Sequence, residues 1–132
     1  MSQDDPLAVV LAWQEAANAP DIDRLIALSD ANIEIGGPRS SGFGHQLLRD
    51  WMARAGLTLE TLRAFVRGET VALEQRGVWR ALETGAVTGD RILASVFHVK
   101  QGRVICFARY DRLDAALEAA GLNQSDERAV TT

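Results

Sequence analysis

Residues 96–112, VFHVKQGRVICFARYDR, hold two runs of β-forming residues on either side of Lys100-Gln101-Gly102, a spacing that predicts a tight hairpin. Side chains alternate along a strand, so Ile105, Phe107 and Arg109 are expected on one face and Val104, Cys106, Ala108 and Tyr110 on the other. If the first face is buried, a guanidinium is buried with it, and that costs several kcal/mol unless a partner is supplied. Asp111, two residues further along the same face, is one source of that partner; an anionic ligand is the other. Both faces of this strand are apolar, so both require a cover.

Upstream, further β-type runs occupy 57–67, 70–82 and 90–100, separated by Gly68 and by ETGAVTGD. Long neighbouring strands with short connections predict an antiparallel sheet. Before them the periodicity is helical. Asp5-Pro6 opens a helix expected over 6–18, and Asp21 caps a short second one with Ile22, Leu25 and Ile26 as its inner stripe. ANIEI is a brief β-type run ending at the glycine-rich loop GGPRSSGFG. A third helix follows with Leu47, Leu48, Trp51 and Met52 as its stripe and Gly56 as its stop. A short helix, RLDAALEAAGL, comes after the hairpin, and the polar stretch 123–132 is expected to be a mobile tail.

These elements predict one α+β domain over residues 1–122, with helices covering one face of a curved sheet. The opposite face, mixed in strand 70–82 and apolar in strand 103–111, is the kind of surface a second copy of the chain would cover, so a homodimer through the outer sheet face is expected. The 132 residues are 47% hydrophobic and 24% charged, with a net charge of −4, ordinary values for a globular domain. The acidic balance argues against nucleic acid as a partner. No run approaches the ~20 apolar residues of a membrane span, and MSQDDPLAVV lacks a basic leader, so a cytoplasmic location without membrane association is expected. One cysteine allows no internal disulfide, and Cys106 among apolar neighbours reads as an inert thiol. GPRSSG is not a nucleophile elbow, GFGHQL is not a dinucleotide fingerprint, and two histidines and one cysteine without ligand spacing support no metal site.

The element order, the W…N..D.D.L pattern near the start and VFHVKQGRVICFARYD near the end resemble the nuclear transport factor 2-like superfamily, in particular its SnoaL-like branch. The resemblance covers about residues 6–122 and implies a cystatin-like α+β barrel: a cone-shaped antiparallel sheet closed by N-terminal helices around a mostly apolar pocket. It implies a small-molecule ligand, polyketide-like or steroid-like. It also implies either a cofactor-independent isomerase, cyclase or dehydratase, or a non-catalytic ligand-binding or dimerisation module. ALEQRGVWRALETG with the hairpin is also similar to the limonene epoxide hydrolases. Laid on that pattern, the catalytic Arg falls on Gln75, its Asp on Gly77, a second Asp on Arg109, and the water-holding Tyr and Asn near Ile33 and Ile35. Epoxide opening needs one carboxylate to activate water and one acid to protonate oxygen, and these positions carry neither.

Alternation and the resemblance together assign the pocket lining to Trp13, Phe43, Trp51, Gln75, Trp79, Leu93, Ser95, Phe97 and Phe107. Such a lining suits an apolar ligand with one anionic or enolic oxygen. Arg109 would hold that oxygen. Asp111 and His45 are the candidate proton-transfer groups, with helix capping and an exposed helix start as their structural alternatives. His98 is expected on the dimer surface.

Overall fold

A computed structural model describes residues 5–36 and 41–130; residues 37–40 of the glycine-rich loop lie outside the described residues. The helices are α1 (Pro6–Asn18), α2 (Ile22–Ala27), α3 (His45–Ala55) and α4 (Leu113–Ala120). The strands are β1 (Ser29–Gly36), β2 (Ser41–Phe43), β3 (Leu57–Arg67), β4 (Thr70–Arg80), β5 (Val87–Lys100), β6 (Arg103–Tyr110) and β7 (Glu127–Arg128). They form one mixed sheet in the order β2-β1-β6-β5-β4-β3-β7. All neighbours are antiparallel except β1 and β6, which the sequence reading did not anticipate.

Bulges curve the sheet around α1. Thr61 pairs with Gln75 and Arg63 with Glu74, which leaves Leu62 extra in β3. His98 pairs with Cys106 and Val99 with Val104, which leaves Ile105 extra in β6. An extra residue bends its strand and shifts the alternation by one. The bulge at Ile105 therefore corrects the expected face of Val104: it is buried in the inner core with Val99 and Phe107. The bulge at Leu62 likewise turns Phe65 outward while Ala64 stays inside.

The inner core gathers Val10, Trp13, Leu25, Ile33, Leu48, Leu73, Phe97 and Phe107 between α1, α2, α3 and the sheet. A second core lies on the outer face, where Phe65, Ala72, Ala94 and Val96 are covered by Ala116 and Leu117 of α4 and by Leu122, with Tyr110 against them. The apolar outer surface of this part of the sheet is thus covered within the chain. The rest of the outer face, where a partner subunit is expected, leaves Ile92 50% exposed and Cys106 and Ala108 half-buried. His98, half-buried, has its Nδ1 3.2 Å from the Thr70 hydroxyl.

Residues 124–128, read from sequence as part of a mobile tail, form a 3-10 turn and β7 against the edge of β3. Asn123 and Asp126 make a reciprocal capping box at the turn. Arg63 grips Glu127 at 2.9 Å, Arg67 grips Asp126 at 2.7 Å, and Arg128 reaches Asp5 at 3.4 Å. A backbone N–H from Asn123 and then Arg67 hold the Asp126 carboxyl below its ordinary range, and Arg63 does the same for Glu127.

Candidate functional site

The inner face of the sheet carries two different regions. Toward the closed end, Trp13, Trp51, Phe97 and Phe107 form one aromatic cluster with ring centroids 5.1–6.4 Å apart. Trp13 is 0% and Phe107 2% exposed. The Trp13 indole N–H donates to Ser29 Oγ at 2.9 Å, and that hydroxyl donates to the Leu25 carbonyl at 2.7 Å. Next to the cluster a buried polar relay crosses the interior. Ser95 Oγ donates to Gln75 Oε1 at 2.6 Å, Gln75 Nε2 to Gln14 Oε1 at 2.6 Å, and Gln14 Nε2 to Thr61 Oγ1 at 2.9 Å. Leu93, also buried, pairs with Gln75 across β4 and β5. A neutral relay of this length avoids the cost of orphaned polar groups.

The open end of the same face is charged. Ser95 pairs with Arg109, so Arg109 projects inward as the alternation predicts. Its guanidinium lies 5.7 Å from the Trp79 ring centroid, and that of Arg91 lies 5.8 Å from the same ring. Trp79 is seated on two glycines. A Cβ at Gly77 would lie 3.2 Å from its Cη2, and one at Gly89 would lie 3.3 Å from its Cε3. A side chain at either position would crowd the indole by a few tenths of an ångström, and at Gly77 it would also meet Leu93 Cδ2 at 2.9 Å.

Arg109 and Asp111 do not pair. Asp111 Oδ1 accepts from Arg91 Nη2 at 2.8 Å, and among the described residues the Arg109 guanidinium has no ion pair and no hydrogen bond. The structural alternative for Asp111 also fails, because Arg112 is the N-cap of α4 and makes no capping bond. His45 opens α3 as expected, but its Nε2 sits 3.0 Å from the Ser29 carbonyl. Ser29 pairs with Val104, five residues from Arg109, or roughly 15 Å along a strand. Arg109, Asp111 and Trp79 thus come together at the charged end of the inner face, and His45 stands apart. Phe43, expected in the lining, is on the edge strand β2 and 65% exposed. Trp51 is half-buried between Trp13 and Phe107.

The sequence reading missed Arg91 and Gln14. Arg91 shares its face with Leu93, Ser95 and Phe97 by simple alternation, so the signal was present. Gln14 stands between Trp13 and Glu15 on a helix whose apolar stripe conceals it. Gln75, Gly77 and Arg109 all stand on the inner face, as alternation along their strands predicts.

No three His, Cys, Asp or Glu side chains among the described residues are grouped to hold a metal ion. Cys106 points to the outer face beside Glu34, and burial, then the Glu34 charge, pushes its thiol up to about 11, which keeps it protonated near neutrality. No helix among the described residues is long and apolar enough to cross a membrane.

No protein-family model and no curated protein sequence matches the chain. Solved structures do. An NTF2-like protein from Cytophaga hutchinsonii superimposes with a TM-score of 0.71 at 16% identity, over 86% of this chain and 96% of that one. TerC, co-crystallised with polyporic acid, matches at 0.70 and 14% identity over 88% and 98% of the two chains. A protein of ketosteroid isomerase-like fold from Catenulispora acidiphila, in complex with trimethylamine, matches at 0.67 and 17% identity over 87% and 93%. The chain therefore has the NTF2-like, cystatin-type fold.

Proposed function

We propose that the chain binds a small, flat, apolar molecule with one anionic or enolic oxygen at the open end of the cone. The observation that carries this reading is Arg109: a half-buried guanidinium on the inner face, against the Trp79 ring, with no carboxylate paired to it among the described residues. Its neighbour Arg91 is neutralised by Asp111. A ligand would lay its ring against Trp79 and give its oxygen to Arg109. Binding of small molecules by relatives of the same fold is consistent with this.

Cofactor-independent isomerisation, cyclisation or dehydration is the second reading, and one observation favours it. Asp111 stands open to solvent at the same mouth as Arg109, so an acid and an enolate-stabilising cation serve one ligand position. The binding test uses tryptophan quenching by 1-naphthoate and by neutral 1-naphthalenemethanol. Arg109→Ala is expected to weaken the carboxylate about tenfold and leave the alcohol nearly unchanged, the loss of a charge-assisted contact. Equal loss for both ligands, or no binding of either to the unaltered protein, would overturn the reading. Catalysis is tested separately, by solvent deuterium exchange at the α-carbon of bound ketones.

A further inference from the structure

We propose that Asp111 sets the charge accepted at the mouth: by occupying Arg91 it leaves Arg109 as the cation for the ligand, and so selects monoanions over dianions. This rests on the reading of the mouth as a ligand site. Two guanidinium groups lie within 6 Å of one Trp79 ring, an arrangement that taken alone would attract two negative charges. The Asp111 carboxylate cancels one of them through a 2.8 Å contact to Arg91. Both members of that pair are exposed, with side chains 54% and 66% accessible, so neither is held as part of the core. A second ligand carboxylate approaching Arg91 meets the charge of Asp111 at hydrogen-bond range and is repelled. The ligand class that fits is an aromatic or polycyclic molecule with a single acidic group.

Asp111→Asn keeps the size of the side chain and removes its charge, and at an exposed position it is expected to fold normally. Calorimetric titration of the full chain would compare 1-naphthoate with naphthalene-1,4-dicarboxylate at neutral pH. The unaltered protein is expected to favour the monoanion. In the Asp111→Asn variant the dianion is expected to tighten about fivefold, the scale of an exposed ion pair, and the monoanion less than about twofold. Adding Arg91→Ala should abolish the gain. Equal tightening of both ligands, no change for the dianion, or a gain that survives Arg91→Ala would each overturn the assignment to Asp111. If the unaltered protein binds 1-naphthoate through Arg109 while Asp111→Asn changes nothing, only this inference falls. If it binds neither acid, the site reading falls with it.

Discussion

The two ends of the inner sheet face are built from the same strands and differ in how their side chains are satisfied. Where the face is buried, the polar side chains among the described residues have protein partners: Trp13 has Ser29, Ser95 has Gln75, Gln75 has Gln14. At the open end Trp79 and Arg109 have each other, and Arg109 has no anion among the described residues. Saturation marks the part of the molecule that holds the fold together. Incomplete pairing marks the part that has capacity for something else.

The largest effect that would break this contrast belongs to the closed end. Trp13→Ala removes a fully buried indole that touches three other aromatic rings and orphans the Ser29 contact. Chemical denaturation should show a loss of about 3–5 kcal/mol. A loss below about 1 kcal/mol would mean that the cluster is a cavity wall rather than a packed core. Gln75→Leu comes next. It strands the Ser95 hydroxyl and one side of Gln14 in a site without water access, so a destabilisation of about 2 kcal/mol is expected. Stabilisation by the leucine would show instead that the relay is kept for ligand chemistry at a cost in stability.

The contrast was partly legible in the amino-acid sequence. Alternation along 103–110 placed Arg109 with Phe107, and the structure agrees, because no bulge intervenes between those two residues. It misplaced Val104, since one extra residue at Ile105 reverses every side chain before it and nothing in RVICF announces that insertion. The helix over 113–120 was readable from its own pattern, but the sheet face it covers was not. Ala116 and Leu117 would serve equally on either side, and a long-range choice of that kind leaves no local trace. The partner of Arg109 failed for a related reason. Of the two alternatives, Asp111 rests on proximity in sequence, whereas its carboxylate meets Arg91, twenty residues earlier, because β5 and β6 run side by side.

The smallest predicted effect sharpens the contrast most. Arg109→Ala should change the free energy of unfolding by only about 0.5–1 kcal/mol, the scale of a partly exposed cation–π contact with Trp79. A guanidinium locked into a buried ion pair behaves differently, because removing it strands its carboxylate and costs about 3–5 kcal/mol. Denaturation midpoints for Arg109→Ala therefore separate the two roles before any ligand is known. A loss near the upper figure would give Arg109 a structural partner and make the open end an extension of the core. A small loss, set against the large one at Trp13 on the same sheet face, would leave Arg109 as a charge that the fold tolerates without depending on it.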